Sequence, residues 1–264
     1  MFKKIKKILK PSKQRYGWFG HFNTWQEAQA LATGYNAANI LEKTKISLLK
    51  VKNGEAVYER DSVTFDKKEY PFPAIATLLR IAIENNNVLN VVDFGGSLGS
   101  TWFQVKDFIP EQVRVTWTVV EQKAYVDCGK QHFEDDQLRF AFSIDECFEK
   151  TRPQIVILSS VIQYLEKPHD FLHNLVTREP SFIFFDRTAF LKSPGADRLT
   201  LQIVPPDIYD ASYPSWFFNE QTFLKHFNKY KLIAEFAPVV AAEQNITIDG
   251  KPLGCDKGFL FKLT

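Results

Sequence analysis

Val88-Leu-Asn-Val-Val-Asp-Phe-Gly-Gly-Ser-Leu-Gly-Ser100 decides the fold. An apolar run of strand length ends in an acid, Asp93, and a glycine-rich turn follows. That turn leads into a stretch, Thr101 to Phe108, that can be helical. Strand, glycine turn and helix in this order place bare backbone N–H groups at a helix N-terminus. A nucleotide-like ligand can approach the main chain closely there.

Downstream the pattern is regular. Apolar runs of strand length recur at Val88–Asp93, Val113–Glu121, Leu138–Phe142, Gln154–Ser159, Phe182–Asp186, Leu232–Ala237 and Gly258–Leu263. Helix-like stretches fall between the early ones, at Thr101–Phe108, Ala124–Phe133, Ile144–Lys150 and His169–Thr177. Alternation of this kind with continuously apolar strands means a parallel sheet covered on both faces. The last two runs have no helix between them, so they can pair antiparallel. The expected fold class is therefore α/β, with the Rossmann-like plan of class I methyltransferases. That plan is a seven-stranded, mostly parallel sheet with an antiparallel last strand, here with an N-terminal helical extension.

Upstream, residues 12–45 read as mostly helical, with Thr24 an N-cap and Glu27 three residues on. An irregular stretch follows, and then Pro71 and Pro73 open a helix from Ala74 to Asn85. Residues 1–70 thus read as a basic tail and helical extension or lid, and 71–264 as the methyltransferase domain.

Phe occurs 24 times in 264 residues, which predicts a large aromatic core. No apolar run reaches the roughly 20 residues that span a bilayer, and the N-terminus has no apolar signal region. Cys128, Cys147 and Cys255 are widely spaced, as expected of reduced thiols in a cytoplasmic protein, and no spacing suggests a metal site. Net charge is +2, but residues 1–15 carry seven basic residues and no acid, leaving 26 basic against 31 acidic elsewhere. An acidic body argues against nucleic acid as a partner. The basic tail also has an apolar stripe, Phe2, Ile5, Ile8 and Leu9. It reads either as a helix making peripheral contact with the inner membrane face or as a solvated tail.

The choice of ligand turns on the glycines. A dinucleotide turn wants Gly-x-Gly-x-x-Gly. With Gly96 and Gly99 in the last two places, Phe94 occupies the first. The turn acid-x-Gly-x-Gly-x-Gly of methyltransferases fits better: Asp93, Gly95 and Gly99 match, Ser97 stands in the middle place and Gly96 lies one position early. Glu121 ends the second strand, where its carboxylate can accept both ribose hydroxyls of NAD or of S-adenosylmethionine. Gln122 beside it and Ser143, just past the third run, complete that side of the expected pocket. After the fourth run, Ser159, Ser160 and Gln163 can bond the methionine end of the cofactor, or Ser160 and Tyr164 simply start and pack the next helix.

Several phrases match something narrower. They are Trp18-Phe-Gly20, Trp25, Gly34-Tyr35, Glu59-Arg-Asp-Ser62, Asp93-Phe-Gly-Gly-Ser-Leu-Gly99, Val119-Val-Glu-Gln122, Ser159-Ser160, Gln163-Tyr-Leu165, Asp186-Arg-Thr188 and Ser212-Tyr-Pro-Ser-Trp216. On these the chain resembles, nearly end to end, a family of methyltransferases often encoded among bacterial surface-polysaccharide and lipopolysaccharide genes. The resemblance implies a class I fold and S-adenosylmethionine as cofactor. Through the company of such genes it implies a glycan or glycan precursor as acceptor. One departure is Ala189 after Asp186-Arg-Thr188, where proline is expected.

The acceptor belongs beyond the carboxyl ends of the strands. Residues 187–219 leave the fifth strand there. They carry Pro194, Gly195, Pro205, Pro206 and Pro214, and the segment is expected to be largely irregular. Tyr209, Tyr213 and Trp216 are candidates to stack on a sugar, or else they cap the core. Asp186 and His169 are candidate general bases. Arg187 is a candidate to hold an acidic or phosphate group of the acceptor, or else it forms a structural ion pair with Asp186. Glu59-Arg-Asp61 reads as part of a lid or as a surface turn.

The expected function is S-adenosylmethionine-dependent O-methylation of a saccharide, free or lipid-linked. An NAD-dependent sugar oxidoreductase and a non-catalytic member of a glycan assembly complex are the rival readings.

Overall fold

In the computed structural model, residues 16–33, 37–206, 208, 210–238 and 241–264 are described. The basic tail, Gly34-Tyr35 and Tyr209 lie outside them. The chain begins with β1 (Gly17–Phe22), α1 (Trp25–Leu31), α2 (Ala37–Lys52), the hairpin β2 (Tyr58–Arg60) and β3 (Val63–Phe65), and α3 (Phe72–Glu84). Then come β4 (Val88–Phe94), α4 (Ser100–Val105), β5 (Arg114–Val120), α5 (Lys123–His132), β6 (Leu138–Ala141), α6 (Ile144–Thr151), β7 (Ile155–Ser159) and α7 (Pro168–Thr177). The last third holds β8 (Phe182–Leu191), β9 (Arg198–Ile203), β10 (Ser212–Phe217), α8 (Glu220–Leu224), β11 (Tyr230–Phe236), β12 (Ile246–Ile248) and β13 (Lys251–Leu263).

The centre of the molecule is the expected sheet, in the order β6-β5-β4-β7-β8-β13-β11. The pairs from β6 to β8 are parallel, and β13 runs antiparallel to both β8 and β11. These are the seven strands read from the sequence. The chain order reverses between β4 and β7, which places a crevice at their carboxyl ends.

The sheet then continues further than expected, to eleven strands. Beyond the end of β11, the first half of β13 pairs with β12, then β1, β9 and β10 follow in turn. Two stretches therefore differ from the reading of the sequence. Gly17–Phe22 is a strand ahead of the two helices of the N-terminal stretch. It is held by β9 and β12, and Arg198 donates to the Gly20 carbonyl through Nε at 3.0 Å and Nη2 at 2.8 Å. The segment 187–219 is mostly strand. Its prolines mislead because they sit where a sheet tolerates them: Pro194 in the β8–β9 connection, Pro205 and Pro206 after β9, and Pro214 on the edge strand β10.

Local signals near the chain start behave as written. Thr24 Oγ1 accepts from the Glu27 N–H at 3.2 Å, and Glu27 reaches back to the Asn23 N–H at 3.0 Å. Pro71 is the N-cap of α3, with Pro73 in its first turn.

Side chains from the two faces form two large cores. One packs α2, α3, α4 and α5 onto the sheet through Leu48, Leu78, Trp102 and Val126. The other, under α7 and α8, is built of phenylalanines, with Phe185, Phe190, Phe218, Phe223 and Phe259 all buried. Phe223 sits at its middle, its ring 5.1 Å from Phe185 and Phe190 and 5.5 Å from Phe218 and Phe227. Burial of each such ring contributes roughly 1.5–3 kcal/mol, with more from edge-to-face contacts. Phe223→Ala is accordingly expected to lower the unfolding free energy by about 3–5 kcal/mol, measured by urea denaturation. A loss under about 1 kcal/mol would contradict this packing.

Candidate active site

The crevice begins where β4 ends. Asp93 is buried, 1% exposed. Its Oδ2 accepts from Trp117 Nε1 at 3.2 Å, and its Oδ1 is sealed from solvent with no partner among the described residues. Burial pushes its carboxyl up to about 7. The glycine turn folds directly over it. A Cβ on Gly96 would lie 2.5 Å from the Asp93 Cγ, and one on Gly95, at φ +71°, would lie 2.4 Å from Val161. Any side chain at either place would displace the acid or the loop. The result is a cradle of backbone with a desolvated carboxylate beneath it. α4 has only six residues, so loop amides rather than a long helix dipole would face a ligand.

The loop is fixed to the next strand. Gly95 N–H donates to the Val120 carbonyl at 2.9 Å, and Ser97 N–H, in a left-handed conformation at φ +58°, donates to Glu121 Oε1 at 3.3 Å. Glu121 Oε2 accepts from the Gln122 N–H at 2.8 Å. Burial raises the Glu121 carboxyl, against these two bonds. Glu121 is thus held beside the turn, while the Gln122 side chain is exposed.

The β2–β3 hairpin closes over the start of α4. Glu59 is 2% exposed; it accepts from the Ser62 N–H at 2.7 Å and from the Ser100 hydroxyl. Burial pushes its carboxyl up to about 7. Ser62 is bound in turn to α2 through Thr44 at 2.7 Å and Ser47 at 2.7 Å. At the hairpin turn Asp61 reaches Arg187 Nη2 at 3.1 Å. The Glu59-Arg-Asp61 phrase therefore spans from the start of α4 to the middle of β8.

On that side Ser159, the last residue of β7, is the register partner of Asp186, midway along β8. Burial raises the Asp186 carboxyl, while Arg187 and the Ser159 side chain oppose the rise. Gln163 is 3% exposed. Its Nε2 donates to the Arg187 carbonyl at 3.1 Å and to Ser160 Oγ at 3.4 Å, and its Oε1 is buried without a partner among the described residues. Ser160 at φ +52° and Arg187 at φ +50° both sit in the left-handed region, where strain collects at functional sites. Arg187 also bonds Glu243 Oε1 at 3.2 Å. Its guanidinium is already shared by two carboxylates, so it ties together three separate segments.

Other expected site residues make their recorded contacts outside this group. His169 Nε2 is 2.5 Å from Asp197 Oδ2, and its Nδ1 is 2.8 Å from His226 Nε2. Both ring nitrogens are spent on α7 packing, and neither bonds Asp186 or Arg187. Ser143 is exposed and caps α6, accepting from the Glu146 N–H at 3.2 Å. Tyr213 meets Tyr164 edge-on at 5.2 Å, and Tyr164 Oη donates to Gln202 Oε1 at 2.9 Å. Trp216 Nε1 donates to the Leu165 carbonyl at 3.1 Å. Two acids that the sequence did not single out, Glu243 and Asp256, join Arg187 and Asp186 through their charges. Among the described residues, no group of three or more His, Cys, Asp or Glu is placed to hold a metal ion. Among them, too, no helix is long and apolar enough to cross a membrane.

No protein-family model matches the sequence, and no curated protein matches it. Solved structures do match the fold. The N-terminal domain of EvdMO1, crystallised in the presence of SAH and D-fucose, is 10% identical; the match covers 87% of this chain and 98% of that one, at a TM-score of 0.47. An S-adenosylmethionine-dependent methyltransferase from Clostridium acetobutylicum ATCC 824 is 8% identical over 72% of this chain and 90% of its own, at 0.42. CalS10, an amino pentose methyltransferase from Micromonospora echinaspora, is 9% identical over 73% and 90%, at 0.43. Likeness at this level carries no argument about the chemistry of this chain, which rests on its own residues.

Asp93 gives a direct test of the cradle. The native state holds its proton up to about pH 7, whereas the unfolded chain releases it near 3.9. Between these values the native state binds more protons, so rising pH removes stability, and the loss levels off above pH 7. Asp93→Asn is therefore expected to be near wild-type in stability at pH 4 and about 1–3 kcal/mol more stable at pH 8. Urea unfolding at the two pH values measures it, and equal shifts at both would refute the buried, strained carboxylate.

Proposed function

We propose that this protein is an S-adenosylmethionine-dependent methyltransferase that methylates a hydroxyl of a saccharide or glycan precursor in surface-polysaccharide biosynthesis. One observation carries the reading: a glycine turn folded over the desolvated Asp93, with Glu121 held beside it at the end of the neighbouring strand. The unpartnered Asp93 Oδ1 and the side-chain-free cradle of Gly95 and Gly96 fit the polar amino-acid end of that cofactor. Glu121 fits its ribose, two hydroxyl donors to one carboxylate. Ser159, Ser160 and Gln163, after the strand on the other side of the turn, are assigned to the methionine end of the cofactor. The cofactor supplies an electrophilic methyl group on a sulfonium centre. The protein's part is alignment of the acceptor, exclusion of water by the hairpin, and removal of a proton.

The saccharide acceptor draws on the resemblance described above and on the pairing of Tyr164, Tyr213 and Gln202, aromatic faces beside a side-chain amide. A lipid-linked acceptor at the inner membrane face would suit the basic first fifteen residues.

Titration calorimetry with S-adenosylhomocysteine and, separately, with NAD tests the cofactor. Wild-type protein is expected to bind S-adenosylhomocysteine and not NAD. Glu121→Ala is expected to weaken that binding about 10- to 100-fold, the loss of hydrogen bonds to a charged group. Tight NAD binding without the homocysteine compound would overturn the proposal. Mass spectrometry of surface glycan from a deletion strain should show the loss of one methylene's mass per acceptor residue.

A further inference from the structure

We propose that Asp256 is the general base that takes the proton of the acceptor hydroxyl. The inference rests on the methyltransferase reading above and names the group that reading left open. Four carboxylates surround the Arg187 guanidinium, and three are already engaged. Asp61 bonds Arg187 Nη2 at 3.1 Å. Glu243 puts Oε1 on Arg187 Nε at 3.2 Å and has Oε2 sealed from solvent. Asp186 is restrained by the Arg187 backbone and the Ser159 side chain. Asp256 differs from all of them. No hydrogen bond or ion pair among the described residues engages its carboxylate, and the residue remains partly open to solvent.

Its position follows from the strand pairing. Asp256 lies opposite Ala189 on β8, three residues beyond Asp186 and so past the register partner of the last residue of β7. The charged groups facing it are Glu243 from the turn Ala241–Gln244, and Asp186 and Arg187 from β8. Its neighbour Lys257 is turned away, bonded to Glu220 at 2.7 Å and Glu235 at 2.6 Å, and does not neutralise it. Burial first, then Glu243, push the Asp256 carboxyl up to about 7, and Arg187 opposes them. A base of that strength is half ionised at neutral pH, where general-base catalysis works best.

The step is balanced. A lone pair of the acceptor oxygen forms the bond to the methyl carbon, and the carbon–sulfur pair returns to sulfur, leaving a neutral thioether. The hydroxyl proton passes to the Asp256 carboxylate, which later releases it to water.

The test uses full-length protein, S-adenosylhomocysteine as the binding probe, and glycan extracted from a deletion strain as acceptor for radiolabelled methyl. Asp256→Asn is expected to bind S-adenosylhomocysteine as wild type does while transfer falls about 10²- to 10⁴-fold. Wild-type transfer rises with pH through about 7, as the base ionises, and this limb should vanish in the variant. Asp256→Glu should recover part of the rate. Carbon-13 NMR of the aspartate carboxyls, which needs no acceptor and no variant that folds poorly, should show Asp256 titrating near 7. Wild-type transfer by Asp256→Asn, loss of its S-adenosylhomocysteine binding, or an Asp256 that titrates near 4 would each overturn the assignment. Failure of the wild-type protein to bind S-adenosylhomocysteine would instead overturn the methyltransferase reading beneath it.

Discussion

One mismatch in a strand pair organises both the extension of the sheet and the site. Phe185 pairs with Phe259 and Thr188 with Lys257, so Asp186 and Arg187 together oppose the single residue Gly258. The extra residue is absorbed by Arg187 in the left-handed region at φ +50°. Bulges bend a strand and redirect side chains, and they collect near active sites for that reason. Here the bulge turns the guanidinium to Asp61 and Glu243. Gly258 has to be glycine, because a Cβ there would lie 2.0 Å from the Phe236 ring on β11. Past the bulge β8 and β13 continue to pair, and that continuation gives β12, β1, β9 and β10 a strand to build on.

The two halves of the crevice were unequally legible in the sequence, and the reason is the range of the interactions. The Asp93 turn and Glu121 belong to neighbouring strands joined by one helix, and their chemistry is written in a short span of apolar and glycine residues. The parallel core is legible likewise, since strands buried on both faces are apolar throughout. The outer strands are not. β1, β9, β10 and β12 gain their strand conformation from partners up to 230 residues away; the prolines of residues 187–219 suggested a loop there, and β1 fell in a stretch that read as helical. Glu243 and Asp256 were missed for the same cause. Nothing local marks them, and only long-range antiparallel pairing brings them to Arg187. His169 had the right position after the β7 motif, but a position along the chain does not say what a ring faces. Asp197 and His226 occupy both its nitrogens.

Desolvated acids are the common feature of the site. Glu59 and Asp93 are each buried, and each carboxyl is pushed up to about 7. A fold selected for stability alone would not bury such groups without cationic partners, since the charged form is penalised and an unmet lone pair remains. Glu59 is met by Ser62 and Ser100, so its burial secures the hairpin to α4. Asp93 is met only in part, by Trp117. The unmet oxygen lies directly under the glycine turn, where a ligand group that donates to it would satisfy it.

The Arg187 cluster behaves as a unit for a related reason. Carboxylates gathered about one guanidinium share its charge, so a change at one of them is felt by the others. The hairpin contributes Asp61 to this group and, through Glu59, is fixed to the glycine turn. Whatever moves the hairpin therefore changes how much of the guanidinium's charge the remaining acids share. Withdrawing Asp61 removes a like charge beside Glu243 and leaves it more of Arg187, which lowers the proton affinity of Glu243; restoring it does the reverse. Hairpin position and proton occupancy would in this way be linked through a single side chain, and the linkage would run in both directions.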